Sequence, residues 1–256
     1  MSECVIILGP YRSGTSLTAQ VLERLGVDFG PREERIATNP YNPGGYLERG
    51  DLNAINRKLI ASTGRTLGSP GDPECLTRLA DRSILNGVTL PWPGHATIWG
   101  LKDPRFCATL KIWLDSGALS ADSIRIVQVT RDLESIVLSS LEHPSVQKFC
   151  GRDVDAARRM VQEYVDLSNW QVRMLGVPTL QVQYEELIQE PRAEVTRLAS
   201  WLGLNDPVRI RHAIRCVGKR SAQQRYYLRQ SLTFPFRAVR KVYRWAWVGS
   251  LSIQAR

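Results

Sequence analysis

The sequence predicts an α/β domain: a central parallel sheet in the middle layer of three, flanked by helices. Three observations point there. Cys4–Leu8 is a short, unbroken apolar run that ends in a glycine turn and gives way to a helical pattern. The same strand-then-helix order recurs along the chain. And 256 residues at 43% hydrophobic and 23% charged are enough for one large core, with little left for a second domain. The expectation is a single domain over residues 1–256.

In order, Cys4–Leu8 reads as a strand buried on both faces, followed by Gly9-Pro10-Tyr11-Arg12-Ser13-Gly14-Thr15-Ser16. Leu17, Val21, Leu22 and Leu25 then share a helix face, and Gly26 stands where a C-terminal cap belongs. Gly64–Pro73 and Asn86–His95 read as loops around a short helix near Glu74–Leu85. Ile98–Leu101 is the next strand, ended by Lys102-Asp103-Pro104-Arg105. Ile124–Val129 follows as a strand, with Thr130-Arg131-Asp132 leading into a helix over Leu133–Leu141. Helical patterns fill Asp155–Leu175 and Ala193–Leu202, with a strand at Thr179–Gln183 between them.

Composition narrows the function. No apolar run approaches the roughly 18 residues that span a bilayer. The N-terminus has no basic leader region, and the five scattered cysteines suit reduced thiols, so the expected setting is cytoplasmic. The net charge of +9 is concentrated at one end. Residues 1–206 hold 22 Lys and Arg against 25 Asp and Glu, while residues 207–256 hold twelve basic side chains and no acidic one. Such a segment implies an anionic neighbour, unless it is simply a solvated face.

The first turn spells G-x-x-x-x-G-T-S. Gly9, Gly14 and Ser16 keep the spacing of a Walker A loop, but Thr15 stands where a nucleotide triphosphatase carries lysine. Backbone N–H groups and the helix start can still cradle a phosphate. The lysine that reaches the terminal phosphates of ATP is missing, as is a convincing acidic strand end for Mg²⁺. With Arg12 as its charge, the loop suits a nucleotide bearing a single 5′-phosphate, and no metal is expected.

Pro10-Tyr11-Arg12-Ser13-Gly14-Thr15-Ser16 resembles the 5′-phosphosulfate loop of sulfotransferases that use 3′-phosphoadenosine-5′-phosphosulfate (PAPS). Further segments follow in that family's order. Arg131 at a strand end, with Ser139 eight residues on, is similar to the 3′-phosphate motif. Taken without the family, Arg131 serves equally well as a strand-end salt-bridge partner. Tyr184-Glu185-Glu186-Leu187 with Trp201-Leu202-Gly203-Leu204 resembles a late family region, in which Tyr184 lies near the adenine and Trp201 belongs to the core. Val217-Gly218-Lys219-Arg220 is a faint likeness of the basic loop over the 3′-phosphate. The resemblance spans about residues 4–205. It implies a P-loop-NTPase-like fold, PAPS as donor and 3′-phosphoadenosine-5′-phosphate (PAP) as product, with Arg12, Ser13, Gly14, Thr15, Ser16, Arg131, Ser139 and Tyr184 as donor ligands.

The implied reaction is in-line transfer of a sulfuryl group to a hydroxyl or, less readily, an amine. Arg12 and Lys102 are the candidates for holding the transferring group. Lys102 matches the lysine that precedes the catalytic histidine of cytosolic animal members, but Pro104 occupies the histidine's place. His95 lies in a Pro-rich loop, and His143 and His212 read as surface or supporting residues away from the strand ends. A carboxylate is then the expected base. Asn39-Pro40-Tyr41-Asn42-Pro43-Gly44-Gly45-Tyr46-Leu47-Glu48 resembles a segment of bacterial members and puts Glu48 first, at the start of a helix. Glu33 or Glu34 come next, alternatively an exposed ion-pair cluster with Arg32 and Arg35. Asp103 is third, more readily a cap or partner of Arg105.

The acceptor is expected among glycans, glycolipids and small hydroxyl compounds. Ser231–Gln254 interleaves aromatic and basic residues, as a helix lying on a membrane surface would, or as an ordinary terminal helix docked by its aromatics. Two other function classes compete: a P-loop small-molecule kinase, and a non-catalytic polyanion-binding module. No nucleic-acid recognition motif is present, so nucleic acid is not an expected partner.

Overall fold

A computed structural model of the protein describes residues 3–38, 42, 44–90 and 97–218. The amphipathic pattern expected over Ser231–Gln254, Lys219 and Arg220 of the basic loop, and His95 lie outside the described residues.

Among the described residues, four parallel strands form the sheet: β1 (Glu3–Leu8), β2 (Ile98–Lys102), β3 (Ile124–Thr130) and β4 (Thr179–Gln183), in the order β2-β1-β3-β4. β1 is central and buried because its side chains feed two separate cores. Cys4, Ile6 and Leu8 point to one face, while Val5 and Ile7 point to the other. Burial of each such aliphatic side chain contributes about 1.5–3 kcal/mol.

The first face is covered by α2 (Gly50–Ser62), α3 (Pro73–Leu79), α4 (Phe106–Asp115), α5 (Leu133–Glu142), α6 (Pro144–Cys150) and α7 (Val154–Leu175). The second carries α1 (Thr15–Leu25), α8 (Tyr184–Gln189), α9 (Pro191–Leu202) and a helical stretch over 207–218, which buries Ala213 and Val217. The result is three layers, as the strand pattern predicts.

The chain leaves β1 toward the second face, through α1, but leaves the neighbours β2 and β3 toward the first, through α4 and α5. Loops that diverge to opposite faces open crevices at the carboxyl ends of the strands. The turn after β1 therefore has one crevice on the β3 side and another on the β2 side.

The expected helix near Glu74–Leu85 is two pieces. α3 ends at Leu79, and Asp81 caps a separate 3-10 turn over Arg82–Leu85 by accepting the Ser83 N–H. Glu48 is not on a helix: it stands two residues ahead of α2, preceded by Leu47 with a left-handed backbone at φ 53°.

Candidate active site

The glycine turn after β1 closes on itself. Ser13 donates through both its hydroxyl, at 2.8 Å, and its N–H, at 3.3 Å, to the Pro10 carbonyl. Arg12 (φ 67°) and Gly14 (φ 104°) both take left-handed conformations, which turns successive N–H groups into one concavity at the start of α1. Both loop glycines are required by close packing. A methyl at Gly9 would lie 2.6 Å from the Val129 carbonyl oxygen, and one at Gly14 would overlap the Tyr184 ring.

On the β3 side, the residues expected around the 3′-phosphate meet the loop directly. Arg12 Nε donates to Ser139 Oγ at 3.0 Å, and Arg131 Nη1 donates to the Arg12 carbonyl at 2.8 Å. The Arg131 guanidinium also lies 4.5 Å from the centre of the Tyr184 ring, a cation–π distance. Its Nε is buried and has no hydrogen-bond partner among the described residues.

On the β2 side, Lys102 is 3% exposed and donates to Ser16 Oγ at 3.1 Å and to Glu48 Oε1 at 2.5 Å. Glu48, 7% exposed, also has Arg105 at 3.8 Å and the Asn53 amide beside its second oxygen. Tyr46 brings its ring 5.8 Å from Lys102 Nζ. Behind this pair, Asp103 accepts from the Arg105 backbone N–H at 2.9 Å and from its guanidinium at 2.7 Å. Asn56 donates to Asp103 and accepts from Thr109 and Trp113. Burial alone would lower the Arg105 pKa. Asp103, Tyr11 and Glu48 outweigh it and raise the pKa, so the guanidinium stays charged. Asp103 is thus the partner of Arg105, the structural role weighed for it.

The structure brings Arg12, Ser13, Gly14, Thr15, Ser16, Glu48, Lys102, Arg131, Ser139 and Tyr184 into one contiguous site along the carboxyl edge of the sheet. Glu33 and Glu34 stand outside it, in an exposed turn. Their expected pairing with Arg32 and Arg35 is replaced: Glu34 pairs with Arg49 at 2.5 Å, and Arg35 pairs with Glu23.

His143 corrects the expectation that it lies away from the site. It is buried, its Nε2 is 3.3 Å from Tyr46 Oη, and the Arg12 charge acts on it. Burial, and after it the Arg12 charge, push its pKa down to about 4, so it is neutral at pH 7. The signal was its spacing: four residues past Ser139, one turn on along the same face of α5. His212, by contrast, is exposed.

Among solved structures, the chain is similar to the sulfotransferase domain from the curacin biosynthetic pathway. Identity is 15%, coverage is 82% of this chain and 77% of that one, and the TM-score is 0.44. It is also similar to the sulfotransferase STF1 of Mycobacterium tuberculosis H37Rv, at 16% identity, 84% and 71% coverage and a TM-score of 0.44. No curated protein matches it. The sequence pattern of the sulfotransferase family matches residues 4–207, a stretch that holds all four strands, the glycine turn and both crevices. On that match the chain belongs to the sulfotransferase family.

Proposed function

We propose that the protein transfers a sulfuryl group from PAPS to a hydroxyl of a glycan, glycolipid or small-molecule acceptor. The observation that carries this reading is the placement of Arg12, bonded to Ser139 and Arg131 on one side of a loop whose other side meets Lys102 and Glu48.

The residues suit such a donor. The loop offers backbone N–H groups at a helix start to a 5′-phosphate, and Arg131 keeps a buried donor atom without a partner, as a phosphate ligand would. The planar Tyr184 face supports a guanidinium and a base alike. Bound there, PAPS supplies the sulfuryl group, whose S–O bond to the 5′-phosphate breaks as the acceptor oxygen bonds to sulfur.

The chain's own groups do the rest. Arg12 and Lys102 hold the charge that develops on the leaving phosphate oxygen, and they need no metal to do so. Glu48 takes the acceptor's proton. In the structure Lys102 holds that carboxylate in place, so as Lys102 turns to the donor, Glu48 is released to act as base. Arg105 keeps it oriented on its other oxygen.

Calorimetric titration tests the donor half, comparing PAP with 5′-AMP and ATP without metal. The expected result is tight PAP binding that 5′-AMP does not match. Arg131→Ala should weaken PAP by about 10–100-fold, the loss of charge-assisted hydrogen bonds worth about 1.5–3 kcal/mol. Equal binding of PAP and 5′-AMP would sink the reading and favour a kinase.

A further inference from the structure

We propose that His143 is a proton-uptake site linked to donor binding, with Arg12 as the coupling charge and Tyr46 as the hydrogen-bond partner that holds the ring. The inference rests on the donor reading above.

His143 occupies the junction of two helices. It ends α5 and begins α6, its carbonyl accepting the N–H groups of Val146 and Gln147, and Pro144 follows at the first position of α6. The backbone at His143 is therefore fixed from both sides. The end of α5 favours an imidazolium while the start of α6 disfavours it, so the two helix dipoles oppose each other at the ring. The ring is neutral, because burial and then Arg12 oppose the charge.

The groups around it define what can change. Arg12 comes from the turn after β1 and is held to Ser139, one turn before His143. Tyr46 comes from the segment ahead of α2, and beyond its ring lie Lys102 of β2 and Glu48, already paired with each other. On α5 and α6 the nearest charged residues in sequence, Glu142 and Lys148, are exposed. Arg12 is the charged group that acts on the ring.

Burial does not depend on the ligand, but the Arg12 charge does. An anionic phosphosulfate in the loop offsets the Arg12 charge, which is held to Ser139 four residues before His143, so the opposition to a proton on the ring falls. Neutral imidazole then gains a proton from solvent and becomes an imidazolium. By linkage, the donor binds more tightly as His143 charges.

The test is calorimetry of PAP binding at pH 5.5 in two buffers of different ionisation enthalpy, with wild type and His143→Gln. Wild type should take up a few tenths of a proton more than the variant. Equal proton counts would overturn the inference. Because the variant could fold poorly, carbon-13 NMR of labelled histidine in wild type gives a second readout. The His143 midpoint should rise by at least about one pH unit when PAP is added, a tenfold change in proton affinity. Binding of PAP with no such rise removes this inference alone. Failure of PAP to bind removes the donor reading with it.

Discussion

Tyr184 and Gly14 are in contact across the glycine turn: the tyrosine ring fills the space where a side chain at position 14 would stand. The same ring supports Arg131 from its other neighbourhood, at 4.5 Å. Loop backbone, aromatic platform and guanidinium are thus stacked in series, and a change in the first displaces the third.

Gly14→Ala should therefore lose about 1–3 kcal/mol, the cost of a strained left-handed residue plus displacement of Tyr184. It should also lose PAP binding. Gly117→Ala is the control, with a left-handed backbone (φ 75°) but open space where its methyl would go. It should cost only about 1 kcal/mol. Urea unfolding of the two variants separates strain from overlap; equal losses would mean that Tyr184 adds nothing.

Lys102 and Glu48 form a buried ion pair, and each leaves the other stranded when removed. Lys102→Met should destabilise the protein by about 3–5 kcal/mol, since among the described residues the buried carboxylate then has as its cation Arg105, at the longer distance of 3.8 Å. The double variant Lys102→Met with Glu48→Gln should recover about 1–3 kcal/mol of the summed single losses. A double-mutant cycle in urea measures this. Strict additivity would show that the pair does not interact in the folded state.

Acid should act through His143. Its folded pKa of about 4 lies below the unfolded value of 6.5, so the unfolded chain binds more protons between those limits. Stability from this group is complete above about pH 6.5 and falls as pH drops toward 4. Between pH 7 and 4.5, wild type should lose about 2 kcal/mol more than His143→Gln, from the size of that shift. Chemical denaturation at both pH values decides it, and matching losses would count against the buried neutral ring.

β1 was legible because burial on both faces leaves an unbroken run of apolar residues, whereas β4 is a mostly unburied edge strand that mixes apolar and polar residues. Thr179–Gln183 shows the same bounds in sequence and structure. α4 was not legible. Seven of its ten residues are buried, from Phe106 through Trp113, so no polar stripe marks a helix period, and Pro104 shortly before it reads as a break. That Arg131 and Ser139 meet the glycine turn was legible because phosphate loops and strand-end arginines are local patterns. The supporting network was not, because Asn56, Asp103, Thr109 and Trp113 meet only after α2 packs on α4. Arg35 illustrates the limit of charge spacing. Neighbouring Glu33 and Glu34 looked like its partners, but the folded chain gives it Glu23 and the Gly30 carbonyl.

Two residues other than glycine adopt left-handed backbones among those described: Arg12 and Leu47. Each stands in a segment that carries candidate site residues, the glycine turn in one case and Tyr46 and Glu48 in the other. A strained residue of this kind costs about 1–2 kcal/mol, and the rest of the fold must over-determine it. Folding thus meets that cost before any ligand arrives. On the donor reading proposed above, an incoming anion would find the concavity already shaped, its capture would be governed by diffusion and the long-range pull of the site's cations, and the salt dependence of the association rate would carry that signature.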